Sequence, residues 1–127
     1  MSCSPRDLLN AASLIYEHER SEGMSRAAAS RAYYAAYHAA KDYHQRLPAP
    51  GSVMNARGMH ERLYTQLRYP TVQDVKTKSE SQAVGNMLMA ICAQRVNADY
   101  KLEEAFSEIQ AREAIYKSTE ILKVTGT

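Results

Sequence analysis

The stretch RAYYAAYHAAKDYH, Arg31 to His44, holds four tyrosines, two histidines and five alanines in fourteen residues. The whole chain has one Phe and no Trp, so tyrosine supplies most of its aromatic character. At 100° per residue, Arg31, Tyr34, Ala35, His38 and Asp42 share one side, and Tyr33, Ala36, Tyr37, Ala40 and His44 an adjoining one. Alanines at 27, 28, 29, 32, 35, 36, 39 and 40 leave room for a neighbouring helix to come close. Tyrosines on such a helix bury their rings and turn their hydroxyls to a partner or to water. The stretch therefore predicts a packed helix, with Tyr33, Tyr34 and Tyr37 as structural rings.

Working outward, every periodic segment reads as helix and none alternates as a strand would. A first helix opens at Ser4-Pro5-Arg6-Asp7, with Ser as cap, Pro at the first position and Asp facing the positive end. Leu8, Ala12 and Ile15 continue it, and Gly23 is expected to close it. The tyrosine helix runs from Ser25 to about Arg46, where Leu47-Pro48-Ala49-Pro50-Gly51 stops it. A short helix is expected from Arg57 to Leu67, ended by Tyr69-Pro70, and a loop from Thr71 to Lys78. Ser79-Glu80-Ser81-Gln82 has capping-box form and opens a helix striped by Val84, Met87, Leu88 and Ile91. The last helix carries Leu102, Ala105, Phe106 and Ile109 on one face, with Ala111, Ile115 and Leu122 on the other. Apolar on two sides, it is expected to pack on a neighbour or a second subunit. The fold class is all-α: an up-and-down bundle of four long helices and one short one, in one domain over 1–127.

Composition narrows the functional classes. Hydrophobic residues are 45% and charged residues 24% of 127, ordinary for a globular domain. Cys3 and Cys92 lie far apart and in no metal-ligand spacing, which points to a reducing compartment. No apolar run is long enough for a signal peptide or a membrane span, so a cytoplasmic location without membrane contact is expected. Net charge is only +2, yet Met24 to Lys78 holds nine Lys/Arg against three Asp/Glu. Such a basic half suits RNA, a nucleotide or a complementary protein, and equally an unevenly solvated surface. There is no glycine-rich phosphate loop, no H-x-x-x-H or E-x-x-H pair and no serine-nucleophile signature, so neither a cofactor nor a metal is expected.

Arg31 and His38 have R-x(4–6)-H spacing, but they stand two turns apart, roughly 10 Å along the axis. Arg95 continues the apolar stripe of its helix, and a charge there needs a partner or a cleft. Asp99, four residues on, either pairs with Arg95 or caps the last helix ahead of Glu103 and Glu104. In the structural reading Tyr100 anchors the corner between the two helices. In the functional one, Arg95 and Asn97 face a cleft that receives phosphate, with Tyr100 alongside. His18 lies between Glu17 and Glu19 as a solvated residue. His44 closes its helix, where partial protonation suits the dipole. His60 sits among Arg57, Arg62 and Arg68 and is a candidate for the same cleft.

S-R-A-Y-Y-A-A-Y-H-A-A-K, the isolated Met59-His60-Glu61, and Arg95-Val96-Asn97-Ala98-Asp99-Tyr100 together resemble the HEPN superfamily of small helical domains. The likeness is to its compact bacterial and archaeal members with an R-x-x-A-D-Y segment and extends over roughly Leu8 to Leu122. The resemblance implies a bundle of four to five helices, a homodimer, and a place in toxin–antitoxin or anti-phage systems, with a nucleotidyltransferase-type antitoxin as partner. Active members are metal-independent endoribonucleases whose R-x(4–6)-H arginines hold phosphate and whose histidines move protons at a dimer cleft. In this chain the positions where histidine is required after Arg95 hold Tyr100, Lys101 and Leu102. An unperturbed tyrosine, with a pKa near 10, is a poor base at neutral pH. The resemblance therefore leaves two expectations: Arg95 and Tyr100 in a nuclease site with Asn97, His60, Arg31 and His38 binding RNA or nucleotide, or a catalytically inactive dimerisation or antitoxin-partner module. Some members also carry a tyrosine near this motif that a partner nucleotidyltransferase modifies, and the resemblance makes Tyr100 a candidate for such an acceptor.

Overall fold

The structure is a computed structural model that describes residues 3–127. Five helices pack together, and no strand occurs among the described residues: α1 (Pro5–His18), α2 (Glu22–Gln45), α3 (Gly58–Arg68), α4 (Val75–Tyr100) and α5 (Glu108–Val124). None is long and apolar enough to cross a membrane. Helix α2 lies at the centre, packed extensively on α1, α4 and α5 and touching α3, which rests mainly on α4. Its alanines 28, 29, 32, 35, 36, 39 and 40 are all buried, together with Tyr33, Tyr37 and Tyr43. Arg31, His38 and Asp42, on the adjoining side of the wheel, are exposed.

Local chemistry sets the helix ends. Ser4 and Asp7 form a reciprocal capping box at α1, with Pro5 at its first position. Gly23 does not end that helix. The break falls at Glu19 to Ser21, because the Ser21 hydroxyl accepts from Met24 N and starts α2 there, leaving Gly23 in its first turn and Ser25 buried. Likewise α4 begins at Val75, ahead of Ser79. Asp74 Oδ2 accepts from both Thr77 N and Thr77 Oγ1, a stronger start than a Ser-x-x-Gln box. Half of the expected loop is therefore helical. Ser81, inside α4, is buried and donates to Leu67 O at 2.8 Å, tying α4 to α3. Gly85 allows the same approach: a Cβ there would meet Leu67 Cβ at 2.9 Å and the Arg68 backbone N at 2.9 Å.

The α4–α5 corner departs furthest from expectation. Helix α4 runs through Tyr100, and α5 starts only at Glu108, where Ser107 and Gln110 form a capping box. Asp99 therefore caps nothing, and Leu102, Ala105 and Phe106 belong to the connection. Leu102 is exposed while Phe106 is buried. One face of α5 is internal, through Ala111, Ala114, Ile121 and Leu122; the other, with Ile109 and Tyr116, is open to solvent.

Arg26 holds that corner together. Its NH1 donates to the carbonyls of Asn97, Ala98 and Lys101 at 2.9, 3.0 and 3.3 Å, its NH2 donates to Glu104 O, and Nε bonds Glu22 at 3.1 Å. Its guanidinium also lies 5.5 Å from the Phe106 ring centroid. The last carbonyls of a helix have no partner within it, and a cation there also meets the negative end of the dipole. An Arg26→Met variant keeps the stem but removes the donors these carbonyls share, leaving Asn97 O and Lys101 O with only their backbone partners, Lys101 N and Glu104 N. Urea denaturation is expected to show it less stable by about 2–4 kcal/mol; a loss below half a kcal/mol would mean that water replaces the guanidinium at no cost.

Candidate functional site

The site is built where α2, α3 and the end of α4 meet. Val84, Leu88 and Ile91 point into the core, and Arg95 follows one turn later on the same stripe. Its side chain is only 8% exposed. The guanidinium carbon lies 5.2 Å from the Tyr33 ring centroid, 5.7 Å from Tyr34 and 5.6 Å from Tyr100. Three ring faces thus surround one planar cation, an arrangement favoured electrostatically.

Rings are not hydrogen-bond acceptors of ordinary strength, and Arg95 lacks those. Asp99 is the nearest carboxylate, but its Oδ2 stands 3.9 Å from NH1, an ion pair too long for a hydrogen bond. That same oxygen accepts from Ser30 Oγ at 3.2 Å. The neighbouring Cys92 thiol is a weak acceptor at most. Nε of Arg95 is sealed from solvent and has no partner among the described residues. Compared with Arg26, whose donors are saturated by carbonyls, Arg95 is a buried fork with unused capacity.

His60 enters from the first turn of α3. Its Nδ1 is 2.6 Å from the Tyr33 hydroxyl, and its ring is 4.9 Å from Tyr37, 5.5 Å from Tyr33 and 6.0 Å from Tyr34. Burial first, and then the positive charge of Arg95, hold the His60 pKa below its ordinary value. Burial raises the Tyr33 pKa strongly, so the hydroxyl keeps its proton across the physiological range. Arg95, Tyr33, Tyr34, Tyr37 and His60 form one cluster, with Tyr100, 70% exposed, at its rim. Tyr100 is therefore no anchor of the helix corner; its ring covers Arg95 and faces outward.

The remaining candidates lie elsewhere. Arg31 and His38 are both exposed, and His38 lines a cavity with Leu8, Asp42 and Thr127. Their spacing creates no shared site. Asn97 spends its carbonyl on Arg26, and its side chain makes no hydrogen bond. His18 is exposed, as its acidic neighbours suggest. His44 differs from expectation: its Nε2 accepts from Gly51 N at 3.1 Å, and burial lowers its pKa, so it holds the loop as a neutral ring instead of complementing the dipole as a cation. Among the described residues no group of His, Cys, Asp and Glu side chains could hold a metal ion, and Cys3 and Cys92 are both free.

Two features escaped sequence reasoning. The Tyr33–His60 bond joins residues 27 apart on different helices, and no local spacing reveals it. A cavity of about 520 Å³ between α2 and α3, with Tyr37, His44 and Gly58 on its wall, has Lys41 and Arg62 as its cations and no carboxylate in its lining. Its one legible signal is the basic half of the chain. No family model, curated protein or solved structure matches this chain.

Both low-pKa histidines bear on stability. Each is neutral in the folded protein at pH values where the unfolded chain, with its ordinary value of 6.5, already binds a proton. The unfolded state then carries more protons, so stability rises with pH in that window. Urea midpoints are expected to be level above pH 7 and to fall progressively below about pH 6.5. The double variant His44→Asn/His60→Asn should flatten that dependence between pH 7 and 5. An equally steep fall in the double variant would assign it to other groups.

Proposed function

We propose that this chain is a HEPN-like domain of a toxin–antitoxin or anti-phage system that binds RNA or a nucleotide through phosphate at Arg95. One observation carries the reading: the Arg95 guanidinium is nine-tenths buried, lies among three tyrosine rings, and has no full hydrogen-bond partner. An unpaired buried donor costs about 1–3 kcal/mol, which an arriving anion returns. Phosphate suits that fork because two of its oxygens match two parallel N–H donors. Tyr100 beside it offers an exposed ring face on which a base can stack. Lys41 and Arg62 in the adjoining cavity extend the positive lining along α2 and α3. In this reading two copies bring their Arg95 residues to one cleft, and the activity is metal-independent RNA cleavage.

A second reading has its own support. Tyr100 stands where a nuclease of this kind would carry histidine, and the outward face of α5 presents Ile109 and Tyr116 to solvent. On that reading the chain is an inactive dimerisation module or the partner subunit of a nucleotidyltransferase-type antitoxin.

Fluorescence anisotropy with a labelled single-stranded RNA, and competition by a nucleoside triphosphate, separates them. At low salt the wild-type chain is expected to bind, with affinity falling as salt rises. Arg95→Ala should weaken binding roughly 10- to 100-fold, the equivalent of about 1.5–3 kcal/mol for charge-assisted bonds. Arg95→Lys, which keeps the charge without the fork, should restore part of it. Absence of binding, or an unaffected Arg95→Ala variant, would leave only the second reading.

A further inference from the structure

We propose that the cavity between α2 and α3 binds a small organic acid, an apolar body carrying one anionic head, with Lys41 and Arg62 holding the head. The inference goes beyond the Arg95 reading and does not depend on it, since it concerns another pocket and another class of ligand.

The cavity exists because α3 rests mainly on α4 and only touches α2. The gap left between the two helices measures about 520 Å³. Ligand pockets for small molecules run from roughly 300 to 1,000 Å³. Tyr37 and Lys41 stand one turn apart on α2, and Met59, Arg62 and Leu63 share one face of α3. Each helix thus brings one cation and at least one apolar side chain to the same space.

Charge comes from Lys41 and Arg62, both exposed. The ion pairs among the described residues involve other side chains, so both cations stand unpaired. Acidic neighbours in the chain do not neutralise them. Asp42 follows Lys41 but pairs with Arg46 at 3.6 Å and lines a different cavity, beside His38. Glu61 precedes Arg62 and lies outside the lining. Tyr37 and Leu63, almost fully buried, and Met59, largely exposed, give the cavity its apolar wall.

That mixture decides the class of ligand. Exposed ion pairs are individually weak and screened by salt, so two such cations hold a bare phosphate poorly. A hydrocarbon body against Tyr37, Met59 and Leu63 supplies the affinity that the charges lack, and the charges fix its orientation. Polyphosphates are cradled by successive backbone N–H groups, and the glycine-rich loop that provides them is absent from this chain. One carboxylate or sulfonate head suits a point charge and a planar fork acting together.

The test uses the full chain and the fluorescent probe anilinonaphthalene sulfonate, with phenylnaphthylamine as the same ring system without charge. The sulfonate is expected to bind as one molecule per chain. Decanoate should displace it, whereas inorganic phosphate and single-stranded RNA at the same ionic strength should not. Lys41→Gln/Arg62→Gln should weaken sulfonate binding roughly 10-fold, as two exposed ion pairs are lost, and leave the affinity for the amine unchanged. Lys76→Gln/Lys78→Gln, at the exposed start of α4, removes the same charge and should bind both probes as the wild type does. Far-UV circular dichroism checks that each variant is folded. An unaffected Lys41→Gln/Arg62→Gln variant, equal loss of both probes in it, or equal loss in the Lys76→Gln/Lys78→Gln control would each overturn the proposal. So would displacement by phosphate or RNA as effective as that by decanoate. Arg95 takes no part in these measurements, so the two readings stand or fall separately.

Discussion

Seven buried alanines on α2 govern how the rest of the chain can assemble. Each presents only a methyl group, so α1, α4 and α5 can all press against one helix, and the large rings of the segment are confined to the gaps between them. The gap facing α4 receives Tyr33 and Tyr34, and the Arg95 guanidinium is laid against both. Larger residues on that face would push α4 outward and release Arg95 to water. The depth at which the cation is held thus follows from the small residues that let α4 come close.

Two buried arginines show how one side chain serves opposite ends. Arg26 gives its donors to four carbonyls, at the end of α4 and in the connection that follows it, and to Glu22, which leaves nothing for a ligand. Arg95 has ring faces, a distant carboxylate and a sealed, unpartnered Nε. Both are charged and both lie near the same corner. What separates them is hydrogen-bond satisfaction, and by that measure Arg26 builds the scaffold on which Arg95 is displayed. A similar division holds for the histidines: His44 spends Nε2 on the Gly51 amide, whereas His60 is tied through Nδ1 alone.

Much of the fold was legible in the chain because helical periodicity and capping are local. The α4 stripe of Val84, Leu88 and Ile91, the Ser4–Asp7 box and the proline-rich stop after α2 depend on residues within a turn or two of one another. The structure departs from the local pattern where several signals compete. Ser21 and Asp74 were stronger helix starts than Ser25 and Ser79, and Gly23, read as a stop, is accommodated in a first turn. The corner after Tyr100 departs from the helix that the spacing of Leu102, Ala105 and Phe106 predicts, because the Arg26 guanidinium occupies the carbonyls there and lies 5.5 Å from the Phe106 ring centroid.

The all-helical class, the buried character of the tyrosine helix and the place of Arg95 on an apolar stripe can all be read from the chain, since each is a matter of spacing along one helix. What Arg95 meets depends on how the helices pack. Asp99 is four residues away in either view, but only packing shows that its carboxylate is turned to Ser30 and stands 3.9 Å from the guanidinium. The pairing of His60 with Tyr33 was equally invisible, because α3 reaches α2 only after a long loop and by way of α4. Side-chain partners across helices are set by the final packing, and no periodicity along the chain encodes them.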